Sequence, residues 1–281
     1  MKTILVLTDF SDNAGNTAVV LASNMHANVL LCHHQILMPV PAFYAGGAYV
    51  SSELGWEEEQ NKKSMEHQRE ALEAIIGNMP TDHKPGLHTI CCEGDLADNV
   101  NEIIKTRDIE MIVMGEGDHG FTSHFFFSSE ITAIIEHASK PILVFPSGHV
   151  YQPIEKVAFA TTFDEAEIEP VHFLTSLGKL LNFGIDIVHV HQSGDQEAKD
   201  LEKQDSFKKR VAKFNFDQIN YKIVNGKDID DRLQSYCNGS DPGLLALCHH
   251  QYSYLKRLFQ HSTTRDALSR QKLPLLIFPT K

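Results

Sequence analysis

Three short segments of this 281-residue chain occur twice, in the same order, and that internal repeat restricts the fold more than any other feature. Lys2–Phe10 (Lys-Thr-Ile-Leu-Val-Leu-Thr-Asp-Phe) recurs as Lys156–Phe163 (Lys-Val-Ala-Phe-Ala-Thr-Thr-Phe). Ala27–Gln35 is matched by Gly184–Gln192, both ending in a histidine-rich strand, and Lys140–Pro146 by Lys272–Pro279. A duplication explains all three matches, and the chain length suits two domains of roughly 140 residues each. The stretch 146–152, with Pro146 and Gly148, reads as the linker, so the domains are placed at 1–147 and 151–281.

Each half alternates short apolar strands with amphipathic or charged helices. In the first half the strands are Thr3–Thr8, Val29–His33, Leu87–Cys92, Met111–Met114 and Pro141–Phe145. Helices are expected over 13–25, 53–78, 95–106 and 129–137, with a Pro-, Gly- and Tyr-rich loop over 36–52. In the second half strands fall near 157–161, 185–190, 219–224, 244–248 and 275–278. Ile4–Leu7 and Met111–Met114 show no polar alternation, the pattern of parallel strands buried on both faces. The fold class is therefore α/β, with two tandem, doubly wound, five-stranded parallel sheets.

Charge is distributed unevenly. Residues 1–150 hold 8 Lys+Arg against 20 Asp+Glu, whereas residues 151–281 are balanced at 17 and 17. All of the net charge of -12 thus falls in the first half, which argues against nucleic-acid binding, since that needs a basic face. No apolar stretch is long enough to span a bilayer and the N-terminus lacks signal-peptide features, so a cytoplasmic protein without a membrane partner is expected. The five cysteines, Cys32, Cys91, Cys92, Cys237 and Cys248, form no CxxC pair and read as free, mostly buried thiols.

In an open parallel sheet, ligands bind beyond the carboxyl ends of the strands where the strand order reverses. The candidates there are Asp9 after the first strand, His33 and His34 after the second, and the loop Gly115–Ser129 after the fourth. Strand 1 ending in Asp-Phe-Ser, the triplet Val113-Met114-Gly115 and the closing Lys140–Pro146 together resemble the universal stress protein family, across both halves of the chain. The resemblance implies an adenine nucleotide alpha hydrolase-like fold. It also implies halves joined through their last strands as an internal pseudo-dimer, with the whole chain forming a homodimer or meeting another protein.

ATP-binding members of that family carry G-x2-G-x9-G-[S/T] after strand 4, where backbone amides and a helix N-terminus meet the phosphates. On this chain those positions are Gly115, Asp118, Ser128 and Ser129, so the spacing survives but two of three glycines do not. Gly117 offers a shifted loop, Asp118 sets a carboxylate against a phosphate, and Asp9 matches the family aspartate near the ribose, phosphates or metal. Asp9 reads equally as a helix cap. The resemblance thus implies weakened ATP or ADP binding, with Mg, in the first half only. In the second half the corresponding glycine positions hold His249, Tyr252 and Ser262, and Thr162 replaces the aspartate. Ser262–Thr264, with Lys256 and Arg257 nearby, leave a smaller anion open there, against a plain helix cap.

Two other functions stay open on sequence. The run Phe125–Phe127 and the acidic first half suit a nucleotide-free protein-interaction module. His189, His191, His249 and His250 end strands that flank the second cleft and suit a metal or small-ligand binder. No GxSxG elbow, P-loop or GxGxxG occurs, so no catalytic residue is assigned and a stress-response binding or regulatory protein, not an enzyme, is expected.

Overall fold

The computed structural model describes residues 1–8, 10, 12–35, 47–115, 131–146, 152–191, 197–249 and 273–279, less the side chains of 12, 13, 47–58, 131, 132, 197–200 and 230. The first half runs β1 (Thr3–Thr8), α1 (Asp12–Met25), β2 (Asn28–Gln35), α2 (Gly47–Asn78), β3 (Leu87–Glu93), α3 (Leu96–Thr106), β4 (Ile109–Gly115), α4 (Ile131–His137) and β5 (Ile142–Phe145). The second runs β6 (Lys156–Ala160), α5 (Ile168–Leu181), β7 (Gly184–His191), α6 (Glu197–Val211), β8 (Ile219–Asn225), α7 (Ile229–Ser240), β9 (Leu244–Cys248) and β10 (Leu275–Phe278).

The two sets of strands share one ten-stranded sheet, in the order β3-β2-β1-β4-β5-β10-β9-β6-β7-β8. Every pairing is parallel except β5 with β10, where Ile142, Leu143 and Val144 face Ile277, Leu276 and Leu275. The last strands of the halves therefore cover each other's edges, as expected for an internal pseudo-dimer. Either half alone reads 3-2-1-4-5 and reverses direction between its first and fourth strands.

Alternation along the strands divides the core. Ile4, Val6, Val29, Leu31, Met111 and Val113 face one side, under α1, α2, α5 and α6. Leu5, Leu7, Leu30, Cys32, Ile112 and Met114 face the other, under α3, α4 and α7. Both layers are buried, so central strands read as unbroken apolar runs, while the outer strands β3 and β8 are largely exposed. The apolar layer crosses the seam, since one buried cluster joins Leu143 and Phe145 of β5 to Leu276 and Phe278 of β10; within the second half Phe278 meets Phe159 edge-on at 6.4 Å and Phe173 at 5.6 Å.

Local signals set most boundaries. Asp95 caps α3, its carboxylate accepting from the Asp98 amide at 2.9 Å. Asn182, in the left-handed conformation at φ 59°, ends α5. The helix expected from residue 53 begins at Gly47, because no proline interrupts the run before Pro80. Among the described residues, no helix is long and apolar enough to cross a membrane.

Candidate functional site

At the end of β1 the chain must leave a parallel sheet and turn into α1, and one hydroxyl organises the exit. Thr8 Oγ1 donates to Gln68 Oε1 on α2 at 2.8 Å and accepts from the Phe10 amide at 2.9 Å. The turn puts Phe10 at φ 70°, a conformation that costs a bulky residue on the order of 1–2 kcal/mol. The ring recovers contact by lying 4.2 Å from that of His33, with 31° between the planes. His33, in register with Thr8 across β1–β2, donates from Nδ1 to the Thr8 carbonyl at 3.2 Å. His34 points to the other side, its Nε2 2.6 Å from the Gly94 carbonyl after β3.

The second half repeats this construction closely. Thr161 Oγ1 accepts from the Phe163 amide at 2.8 Å, Phe163 sits at φ 58°, and its ring lies 4.6 Å from that of His189. His189 Nδ1 donates to the Thr161 carbonyl at 2.9 Å. Thr-x-Phe followed by a histidine at the end of the next strand is thus a device present in both halves. It was visible in the aligned repeats, but its side-chain roles depend on a left-handed turn that no residue type announces.

The partner of the threonine differs between the halves. In place of the neutral Gln68, the second half brings in Glu167, which is fully buried at the start of α5. Its carboxylate accepts from the Thr161 and Thr162 hydroxyls, the latter at 2.9 Å, and from the Thr162 amide at 3.0 and 3.2 Å. Burial, then Glu167, then Asp164 push the Cys248 thiol at the end of β9 upward. Among the described residues, a carboxyl group of the chain thus closes the second turn, whereas a side-chain amide closes the first.

Of the sequence-derived site residues, His33 and Gly115 are placed. Gly115 closes β4 in register with Phe145, and Met114 before it pairs with Leu7 of β1. His33, Thr8 and Gly115 therefore converge on the carboxyl ends of the reversing strands. Asp9, Gly117, Asp118, Ser128 and Ser129 lie outside the described residues, as do Phe125–Phe127, His250 and Tyr252–Thr264. Gln68 and Glu167 were missed, since each reaches the turn from a helix and neither stands in a motif.

His189 is engaged by the Thr161 carbonyl and the Phe163 ring. Among the described residues, no three His, Cys, Asp or Glu side chains are grouped so as to hold a metal ion.

A family model described as "Universal stress protein family" matches residues 1–146. The universal stress protein Slr1230 of Synechocystis sp. is 25% identical over 300 residues, spanning 99% of this chain and 100% of the relative. A universal stress protein structure from Archaeoglobus fulgidus superposes with a TM-score of 0.66 at 14% identity, covering 99% of this chain and 96% of that one. A putative universal stress protein from Pseudomonas aeruginosa superposes at 0.57 with 10% identity, covering 99% and 93%. At such identities the two structures speak for the fold alone.

Proposed function

The chain belongs to the universal stress protein family, and on that footing we propose that it is a stress-response binding protein with one adenine-nucleotide site, in the first half. The second half, bounded at 151–281, is a structural counterpart to the domain at 1–147. The observation that carries this reading is the exchange of Gln68 for Glu167 at equivalent turns. A bound phosphate near Thr162 would meet a buried carboxylate, and like charges at that range repel. Near Thr8 it would meet a neutral amide.

Gly115 supports the same assignment. It closes β4 at the carboxyl edge of the sheet, next to the end of β1, and it precedes the loop that carries Gly117, Asp118, Ser128 and Ser129. Asp9 follows Thr8 directly and supplies the carboxylate suited to a nucleotide-bound Mg ion. No residue is assigned a catalytic role: the turn supplies hydrogen bonds and a ring platform, and among the described residues no nucleophile is held against a base. Because β5 and β10 already cover one another, a homodimer of this chain would use some other surface.

The test is thermal unfolding with and without millimolar Mg-ATP, for the natural chain and for Gly115→Trp. A ligand that binds only the folded state raises the midpoint, by about 2.7 kcal/mol of stabilisation at a hundredfold excess over Kd. A rise in the natural chain that is lost in Gly115→Trp supports the first-half site. No rise at saturating nucleotide removes it, and a nucleotide-free interaction module then becomes the better reading.

A further inference from the structure

We propose that Cys32 and Cys92 form an oxidation site, a pair of thiols that closes to an intramolecular disulfide when a hydroperoxide reaches it. The two Sγ atoms are 3.3 Å apart, on the side of the sheet covered by α3. Cys32 lies on β2 and Cys92 two residues past its register partner Ile90 on β3, so the contact is diagonal across neighbouring strands. None of the five cysteines is in a disulfide. Cys91 is exposed on the opposite side of β3, and Cys237 and Cys248 are buried in the other half of the molecule.

Position assigns the order of events. β3 is an outer strand, and Cys92 retains 8% exposure against 1% for Cys32. Burial first, then the neighbouring Cys92 and Cys91 sulfurs, hold the Cys32 thiol well above the ordinary thiol range, so it does not begin the reaction. Cys92 attacks the peroxide, the O–O bond breaks, the alcohol or water leaves, and Cys92 becomes a sulfenic acid. Cys32 then attacks the Cys92 sulfur. The S–O bond breaks, and the departing hydroxide takes up the Cys32 proton as water. Two thiols have given two electrons to one peroxide, and a thiol reductant reverses the bond.

The bond falls beside the first crevice. Cys32 is followed by His33, which carries the Phe10 ring, and by His34, whose Nε2 meets the Gly94 carbonyl two residues past Cys92. Oxidation would tie the ends of β2 and β3 together at that point. The inference needs only the two thiols and stands apart from the nucleotide reading.

The full chain is treated with equimolar hydrogen peroxide, and thiols are counted in denaturant, with non-reducing peptide mapping in parallel. The expected result is a fall from five thiols to three, with Cys32 and Cys92 in one cross-linked peptide that dithiothreitol separates. Cys91→Ser, a change at an exposed position, is expected to fall from four to two. Cys32→Ser removes the second thiol, and a dimedone adduct at Cys92 should accumulate. Five thiols surviving, oxidation confined to Cys91, a bond between two chains, or no adduct at Cys92 in Cys32→Ser would each overturn the assignment.

Discussion

The imidazole of His189 rests 4.6 Å from the Phe163 ring, and the Thr161 carbonyl 2.9 Å from its Nδ1 fixes the tautomer with hydrogen on that atom. The pair is set by a strained turn, because Phe163 reaches the histidine only from its left-handed conformation. Phe163 also meets Phe207 of α6 edge-on at 5.6 Å and is 6% exposed. Phe163→Ala is therefore expected to lower stability by about 3 kcal/mol, within the range for emptied aromatic sites. Phe10→Ala should cost roughly half as much, since Phe10 is only half-buried. Urea midpoints of the two variants, measured side by side, check the ranking.

Glu167 closes the second turn with both carboxylate oxygens accepting. Glu167→Gln keeps the volume but turns one acceptor into a donor that faces an amide or a hydroxyl. A loss of about 1–3 kcal/mol is expected from the group left unmatched. Equilibrium unfolding of Glu167→Gln against Thr162→Val, which removes only one of the hydroxyl donors, should rank the glutamine variant as the weaker. Equal losses would mean that the Thr162 hydroxyl alone carries the effect.

The converse change tests the function. Gln68→Glu is nearly isosteric and sets a carboxylate against Thr8, as Glu167 does against Thr161. Its midpoint without ligand should fall only modestly, but the rise caused by Mg-ATP should disappear. A retained rise would mean that the phosphates lie away from the Thr8 turn, and would remove the electrostatic reason for confining nucleotide to the first half.

The repeat made the sheet legible. Ile4–Leu7 and Met111–Met114 announced buried parallel strands, because central strands must be apolar on both faces, while the seam at β5 and β10 was expected only from the family resemblance. Of the expected site residues, those that are described lie at or near strand ends: Gly115 closes β4 and His33 lies two residues before the end of β2. Gln68 lies sixty residues from Thr8, and its role depends on how α2 packs over the sheet. Glu167 looked like one acid among several at a helix start. Its neighbours Glu165 and Glu169 are exposed and it alone is buried, a distinction made by tertiary packing and not by composition.

Asp186 offers a second buried carboxylate, on the opposite side of β7, 5% exposed. It accepts from the Tyr236 hydroxyl of α7 at 2.6 Å and from Asn220 Nδ2 of β8 at 3.0 Å. Burial, then the bond to Asp186, raises the Tyr236 hydroxyl above its ordinary range, so it remains a donor throughout the accessible pH range. Tyr236→Phe removes one of two donors from a buried charge and should cost about 1.5–3 kcal/mol. Asn220→Asp replaces the amide donor by a second carboxylate facing the first and should cost more than Tyr236→Phe. Urea midpoints of the two variants, compared with the natural chain, check that order.

Buried thiols make stability fall on the alkaline side. Burial pushes Cys237 from an ordinary value of 9.0 up to about 11, and pushes Cys32 and Cys248 higher still. Above the ordinary value the unfolded chain releases these protons while the folded chain keeps them. The unfolded state then binds fewer protons, and stability declines as pH rises. The contribution is fully present below about pH 9 and is lost progressively as pH climbs toward the folded values, by at most about 1.4 kcal/mol per pH unit for each thiol. The urea midpoint should therefore be level between pH 7 and pH 8 and drop measurably by pH 10. In Cys237→Ala the drop should be shallower, because one of the three protons has been removed from the balance. An unchanged slope in that variant would assign the alkaline loss to Cys32 and Cys248 or to the tyrosines Tyr221 and Tyr236, whose hydroxyls burial also raises.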